Sequence, residues 1–184
     1  WHLNEGSGVS TADGSGNSNT GYLSGPNILL NPGFETATGG VPDSWTTVIG
    51  AGTSANVDAT TKYEGAQSMK LVFDGVNAYY GRQQAVTVTA GAQYVLRGWL
   101  KNSMTDAQKR LQCDVFGGTL DSPGIQLMAT GDWTYAAETV TIPADTTSVN
   151  IRCFADGTPA GSAWVDGLSF TKVSNAAAWT TAGK

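Results

Sequence analysis

The stretch Asn27-Ile28-Leu29-Leu30-Asn31-Pro32-Gly33-Phe34-Glu35 marks the start of the part of the chain that reads as one domain. Its apolar beginning predicts a strand. Asn31-Pro32-Gly33 then predicts a turn, because Pro fixes φ and Gly permits φ > 0. Phe34 returns to the core with the carboxylate of Glu35 beside it. A second turn that ends in a large anchor follows at Pro42-Asp43-Ser44-Trp45.

Three later segments continue the pattern in a fixed order: EGAQSMKL at 64–71, YVLRGWLK at 94–101 and AWVDGLSF at 163–170. Together with the opening stretch they resemble carbohydrate-binding modules of families 4, 9 and 22, over roughly residues 27–173. The resemblance implies an all-β sandwich of the jelly-roll type that binds polysaccharide without catalysing a reaction.

The composition agrees with an all-β chain, because 24 residues are glycine, only 14% are charged and no segment keeps a helical period. Eight segments with strand character are bounded by Gly, Asp, Pro or Asn, at 57–61, 68–73, 83–89, 93–101, 110–116, 133–142, 148–154 and 163–173. Ala90-Gly91 predicts a hairpin between the third and the fourth. Short strands at this spacing indicate a sandwich.

Charge and hydropathy narrow the possible partners. A net charge of -5 argues against nucleic acid, because phosphate contacts need clustered Lys and Arg. No apolar run approaches the roughly 18–20 residues of a membrane span. A neutral ligand such as carbohydrate fits this chain.

Strand alternation gives the 93–101 segment one mostly apolar face and a second face with Arg97, Trp99 and Lys101. If 110–116 and 148–154 lie in the same sheet, their outward-facing side chains complete a groove. Its aromatic rings suit the C–H faces of sugars, and its planar polar groups suit the hydroxyls. The predicted ligand-binding residues are Trp99, Arg97, Lys101, Gln112, Asp114, Asn150, Arg152, Phe116 and Phe154, with Tyr79 and Tyr80 at the rim.

The alternative interpretation of this face is structural. In it a loop covers Trp99 and the charges form a pairing network, for example Arg97 with Asp114. Trp45, Trp133 and Trp164 are in phase with core residues and are expected to be anchors.

The resemblance also implies a structural calcium ion, held by the carboxylates of Glu35 and Asp166 and by carbonyls of the turn from Lys62 to Gly65. The chemistry is suitable, since Ca²⁺ prefers six to eight oxygen ligands. Gly167 departs from the family pattern beside Asp166. The alternative is that Glu35 caps backbone N–H groups without a metal.

The two cysteines, Cys113 and Cys153, occupy the apolar phase of two alternating strands. A disulfide between them and two buried thiols that act as small hydrophobic groups are both open interpretations.

The ends of the chain carry a different pattern. Residues 1–25 (WHLNEGSG…DGSGNSNTG) resemble the start of laminin-G/concanavalin-like lectin domains, and a continuation of that pattern returns as AWTTAGK at 178–184. We therefore expect three parts: a lectin-like piece at 1–25, the module at 26–174 inserted into it, and a lectin-like tail at 175–184. The alternative is a Gly-rich leader and a frayed tail.

The sequence starts at Trp1 without a Met, so we expect a piece of a larger chain. A secreted enzyme or a phage tail fibre fits, which predicts an extracellular or virion-surface location.

Catalysis has little support in the sequence. The single histidine, His2, lies outside the module, so no Ser-His or Cys-His pair is available within it. Asp114 and Glu138 are the carboxylates that a glycoside hydrolase could use. We expect a non-catalytic binding module, with a structural spacer or adhesion domain and a glycoside hydrolase fragment as the alternatives.

Overall fold

The computed structural model describes residues 10–11, 21–22, 24–48, 54–76, 80–105, 110–128, 131–155 and 158–173. These residues form fifteen strands and no helix, and so no helix of membrane-spanning length. The strands are β1 (Ser10–Thr11), β2 (Gly21–Tyr22), β3 (Ser24–Asn27), β4 (Ala37–Thr38), β5 (Val41–Pro42), β6 (Thr46–Val48), β7 (Ser54–Asp58), β8 (Ser68–Asp74), β9 (Gly81–Thr87), β10 (Gln93–Asn102), β11 (Arg110–Gly117), β12 (Leu120–Met128), β13 (Thr134–Thr141), β14 (Ser148–Ala155) and β15 (Ala160–Val173).

Two antiparallel sheets make up the body. The six-stranded sheet has the order β13-β10-β15-β8-β7, with β3 also paired to β15, and the five-stranded sheet has the order β12-β11-β14-β9-β6. Consecutive strands pass repeatedly from one sheet to the other, as in a jelly roll. The predicted all-β sandwich of jelly-roll type is confirmed.

The core lies between the sheets and follows the predicted alternation. From β10 it takes the apolar face that the sequence indicates, including Leu96 and Leu100, and from β15 it takes Val165 and Phe170. The five-stranded sheet contributes alternate residues of β11 and β14, among them Ile151. The period of two therefore identified which face of β10, β11 and β14 is buried.

The opening stretch turns where the sequence predicts, but the positive φ values belong to Asn31 and Phe34 and not to Gly33. Asn31 and Phe34 have φ of 48° and 59°, and the Asn31 side chain accepts from the Thr36 N–H (3.1 Å) and donates to the Thr36 and Asp43 carbonyls. Phe34 is fully buried against Trp45, with ring centroids 5.2 Å apart, and the Trp45 indole donates to the Asn31 carbonyl. Trp45 is therefore the anchor that the sequence predicts.

The predicted hairpin at Ala90-Gly91 is wrong. Gly91 has a φ of 72°, as such a turn favours, but β9 belongs to the five-stranded sheet and β10 to the six-stranded sheet. The connection crosses between the sheets because both strands have strong apolar faces that pack towards the core. A turn signal fixes the reversal of the chain, and it does not decide whether the two arms pair.

Strand β12 was missed, since Asp121-Ser122-Pro123-Gly124 reads as a loop. β12 is the edge of its sheet, where a Pro is tolerated because one side of the strand has no partner to receive an N–H. Gly124 has a φ of 57°, and the register with β11 shifts at this point. The turn-like residues therefore mark an irregularity within an edge strand.

The two ends of the module lie side by side, because β3 pairs with β15 through Asn27 with Thr171 and Ser24 with Val173. Within 1–25, β1 pairs with β2. The tail at 175–184 and His2 lie outside the described residues.

A disulfide joins Cys113 of β11 to Cys153 of β14, which are direct partners across the two strands. Both side chains are fully buried on the core face. Of the two interpretations of the cysteines, the disulfide is the one in the structure.

Loss of this disulfide is expected to lower the free energy of unfolding by about 4 kcal/mol, because it closes a loop with a sequence separation of 40 in the unfolded chain. Urea unfolding of the wild type and of a Cys113→Ala/Cys153→Ala variant measures the difference. Dithiothreitol should destabilise the wild type by a similar amount and leave the variant unchanged. Equal midpoints for wild type and variant would contradict the expectation.

Candidate functional site

The predicted groove residues do not share one sheet. Trp99, Arg97 and Lys101 lie on the outer face of the six-stranded sheet, because β10 pairs with β13 and β15. The predicted residues of β11 and β14 lie on the outer face of the five-stranded sheet, and they are Gln112, Asp114, Phe116, Asn150, Arg152 and Phe154. The assumption that the three strands are neighbours is wrong, and the predicted set is divided into two surfaces.

Arg152 is the centre of the surface on the five-stranded sheet. Its Nε donates to Asp114 Oδ1 at 2.9 Å and its Nη2 donates to Asp114 Oδ2. The guanidinium lies over the Phe116 ring, with the central carbon 3.8 Å from the ring centroid, and 5.3 Å from the centroid of Phe154. These contacts arise from the register, which places Asp114 opposite Arg152 and Phe116 opposite Asn150.

The electrostatics of this pair depend on burial. Asp114 is 2% exposed, and burial raises the pKa of its carboxyl despite the hydrogen bonds and the charge of Arg152. The Arg152 side chain retains 18% of its exposure, and Asp121, which is largely exposed, lies 3.5 Å from its Nη2. The two carboxylates offset the guanidinium charge at this position.

Amide side chains and one exposed ring complete this surface. Phe116 is 39% exposed, and Gln112 and Asn150 are partly exposed, whereas Phe154 is buried at 3%. The buried position of Phe154 argues against the direct ligand contact that the sequence predicts for it.

Gln83 of β9 and Gln126 of β12 were not predicted as site residues. Gln83 is the cross-strand partner of Arg152, and Gln126 is the partner of Gln112. The polar phase of the 83–89 segment was a usable signal for Gln83. Gln126 had no such signal because its strand was not recognised. Tyr80 is partly buried against the core, and Tyr79 lies outside the described residues.

Trp99 is covered by a tyrosine from the turn between β7 and β8. The Tyr63 ring stacks on the indole with centroids 3.7 Å apart and planes at 16°. Arg97 donates to the hydroxyls of Ser169 and Thr171 on the same sheet, so the Arg97–Asp114 pair considered as an alternative is wrong. The same alternative also held that a loop covers Trp99, and the stacked Tyr63 ring confirms this part of it.

Two of the three expected tryptophan anchors lie away from the core. The Trp164 indole is on the outer face of the six-stranded sheet, where it donates to Asp58 and lies under Lys70. Trp133 precedes β13 and meets the Tyr63 ring edge-on. At the end of a strand the alternation is supported by residues on one side only, so it predicts poorly whether a side chain there faces the core.

The carboxylates of Glu35 and Asp166 converge on the same turn. Asp166 is fully buried and accepts N–H groups of Tyr63 (2.8 Å), Glu64 (3.1 Å) and Gly167 (2.8 Å), while Glu35 accepts the N–H of Ala66. Burial raises the pKa of Asp166, and the three N–H groups oppose that shift.

This arrangement contains the N–H capping that was the metal-free alternative. It also brings both predicted calcium carboxylates to the predicted turn. No group of three or more metal-binding side chains occurs within the described ranges, so further oxygens would have to come from carbonyls such as those of Lys62 and Gly65.

Gly167 is explained by the backbone. It has a φ of 53°, and a Cβ at this position would lie 2.9 Å from Glu64 Oε1 and 3.5 Å from Trp99 Cδ1. The departure from the family pattern therefore follows from local packing.

The fold is a sandwich of two antiparallel β-sheets. The family profile described as "Carbohydrate binding domain" matches residues 26–160, and the chain belongs to this family of carbohydrate-binding modules. Membership of the family supports carbohydrate binding as the general function. A search of curated proteins gives no significant match.

Several solved structures share the fold. The CBM22-1 xylan-binding domain of Paenibacillus barcinonensis Xyn10C is 20% identical with a TM-score of 0.61, and the match covers 82% of this chain and 97% of that one. TmCBM61, solved with β-1,4-galactotriose, is 18% identical with a TM-score of 0.60, covering 80% and 99%. Tailspike protein 4 of bacteriophage CBA120 is 17% identical with a TM-score of 0.62, covering 80% of this chain and only 21% of the tailspike chain.

Asp114→Asn is expected to lower the free energy of unfolding by about 3 kcal/mol, because it leaves the partly buried guanidinium of Arg152 without its main counter-charge. The matched control is Asp121→Asn, which removes the exposed partner of the same guanidinium and should cost at most about 0.5 kcal/mol. Urea unfolding of the three proteins measures both effects. Equal losses for the two variants would show that the buried pair does not stabilise the sheet.

Proposed function

We propose that the chain binds carbohydrate on the outer face of the five-stranded sheet. The observation that carries this proposal is the Arg152 guanidinium, which Asp114 holds by hydrogen bonds and which lies over the Phe116 ring, with its central carbon 3.8 Å from the ring centroid. A fixed guanidinium beside a half-exposed ring is a preorganised surface, so little side-chain entropy is lost when a ligand binds.

Each group on this face has a chemical role towards a pyranose. Phe116 offers apolar area to the C–H face of a sugar ring. The Arg152 side chain keeps 18% of its exposure, so its guanidinium can donate to hydroxyls. The amides of Gln112, Asn150 and Gln83 can donate and accept. A half-covered ring contributes about 2 kcal/mol from area alone, which gives millimolar to micromolar affinity after association costs.

A neutral sugar suits this face better than an acidic one. Asp114 and Asp121 both lie beside Arg152, so a sugar carboxylate or sulfate would meet two carboxylates together with one guanidinium. One structural neighbour is a xylan-binding domain and another was solved with β-1,4-galactotriose, which makes xylan and β-1,4-galactan the first polymers to test.

We infer that the module is non-catalytic. The two carboxylates considered for a hydrolase are on different sheets, since Asp114 belongs to β11 and Glu138 to β13. Asp114 is also engaged by Arg152, so the pair does not flank a common bond.

Phe116→Ala is expected to weaken binding to xylan or β-1,4-galactan by about tenfold or more, because it removes the exposed aromatic ring of the site. Affinity electrophoresis with each soluble polymer measures retention. Val76→Ala is the control, since it removes a more exposed apolar side chain elsewhere and should leave retention unchanged.

The other outcomes of this experiment decide among the alternatives. Equal retention of wild type and Phe116→Ala would contradict binding at this face. Absence of retention on any polysaccharide would indicate a spacer or adhesion domain. Release of reducing sugar from a retained polymer would indicate a glycoside hydrolase.

A structural calcium ion is part of the proposal. The convergence of Glu35 and Asp166 on one turn supports it, and these carboxylates with the carbonyls of Lys62 and Gly65 would hold the ion. When bound, it would tie the turn to β15 and to the opening stretch through oxygen ligation.

Saturating Ca²⁺ is expected to raise the melting temperature of the wild type over that in chelator by about 5 °C or more, and to have no such effect on Glu35→Gln. Differential scanning calorimetry measures the four midpoints. Identical wild-type midpoints with and without Ca²⁺ would leave the carboxylates as N–H caps only.

We also propose that the module is inserted into a lectin-like domain of a larger secreted or virion-surface protein. The pairing of Ser24 with Val173 supports this, because an inserted domain must receive and return the chain at adjacent points. A structure of a longer chain in which the flanking segments belong to separate domains would overturn it.

A further inference from the structure

Four aromatic side chains form a cluster on the outer face of the six-stranded sheet, opposite the surface just described. Tyr63 stacks on Trp99, Tyr135 lies beside the indole at 5.4 Å and 58°, and Trp133 meets Tyr63 at 6.1 Å and 65°. We call this cluster the aromatic platform. Tyr63 and Tyr135 are 43% and 49% exposed, so they present ring surface to solvent above a partly buried indole.

The platform is held in place by the sheet and by the turn. Trp99 and Tyr135 are direct cross-strand partners on β10 and β13. The N–H of Tyr63 is bonded to the fully buried carboxylate of Asp166, which is itself the partner of Trp99 on β15. Tyr63 is therefore fixed at its backbone and at its ring, and 43% of its surface stays exposed.

Polar side chains border these rings. Glu64 follows Tyr63 and is exposed, with its carboxylate near the edge of Trp99 beside Gly167. Lys101 is two residues from Trp99 on the same face of β10, about 7 Å along the strand, and forms no ion pair with another described residue. A carboxylate and an ammonium group at the edge of flat aromatic rings supply acceptors and donors for sugar hydroxyls.

The composition of this surface favours a saccharide over a protein partner. The described large apolar side chains with high exposure are Leu30, Tyr63, Val76, Phe116, Met128 and Tyr135. The two of these on the platform are both tyrosines, and none of the four other described residues in this set belongs to the platform. A protein–protein contact core normally combines aromatic with aliphatic groups, whereas a sugar ring needs a flat aromatic face with polar neighbours.

We propose that the aromatic platform is a second saccharide-binding site, which uses Tyr63 and Tyr135 as the stacking surfaces and neutral pyranose oligosaccharides as ligands. The ligand class rests on the proposed function, but the two sites lie on outer faces of different sheets and share no residue. A chain with two such faces can engage two strands of one polysaccharide, which increases retention on the polymer beyond that of either site.

Tryptophan fluorescence separates the two sites. Trp99 and Trp133 belong to the platform, and none of the described tryptophans lies on the outer face of the five-stranded sheet. Titration with xylohexaose, cellohexaose and β-1,4-galactotriose up to about 10 mM covers the weak affinities expected here. We expect a saturable change of emission in the wild type and in Phe116→Ala, and at least about a tenfold weaker response in Tyr135→Ala.

Two further variants test whether the weaker response of Tyr135→Ala comes from misfolding. Tyr63→Leu keeps an apolar cover over Trp99 but removes the flat ring, and it should weaken the response as Tyr135→Ala does. Tyr135→Phe keeps the ring and should bind within about twofold of the wild type. Near-ultraviolet circular dichroism confirms that each variant is folded.

The outcomes distinguish this proposal from the proposed function. Loss of retention in Phe116→Ala with unchanged emission in all titrations would retain the first site and overturn the second. An emission change that is the same in wild type, Tyr63→Leu and Tyr135→Ala would also overturn it. Self-association that Tyr135→Ala abolishes, without any response to the oligosaccharides, would assign the platform to a contact between copies of this chain instead.

Discussion

The antiparallel register of β11 and β14 determines the chemistry of the five-stranded sheet. It places Cys113 opposite Cys153 on the core face and, one residue further along, Asp114 opposite Arg152 on the outer face. A slip of one residue would exchange the two faces of a strand and bury the ion pair in the core. The disulfide therefore fixes the alignment on which the Arg152, Asp114 and Phe116 arrangement depends.

This coupling explains how a buried carboxylate is tolerated beside a binding surface. Asp114 loses hydration, and a buried carboxylate without a partner would be costly. Arg152 restores two hydrogen bonds to it through Nε and Nη2, while the Phe116 ring lies against the guanidinium. The negative charge of Asp114 therefore holds the Arg152 guanidinium in a fixed position.

The sequence predicted the faces of the strands better than their neighbours. Alternation along 93–101, 110–116 and 148–154 identified the core side correctly, because burial imposes the period of two on each strand separately. Sheet membership depends on contacts between residues far apart in the chain, for example Trp99 with Asp166, and local patterns do not encode them. The predicted groove was divided for this reason. Gln126 was missed for a different reason, since an edge strand tolerates the turn residues that disguised β12.

Trp99 shows what a single residue pattern leaves open. An indole between two cations on an outer face predicted a sugar platform, and the same indole was also compatible with cover by a loop. In the structure Tyr63 covers it, and the position of Tyr63 follows from Asp166, which holds the N–H groups of the turn from 103 residues away. The cover is itself an aromatic ring with its outer face exposed. The turn between β7 and β8 therefore places the Tyr63 ring at the surface in place of the Trp99 indole. The exposed aromatic area belongs to that turn, and Asp166 of β15 holds the backbone of the turn in place.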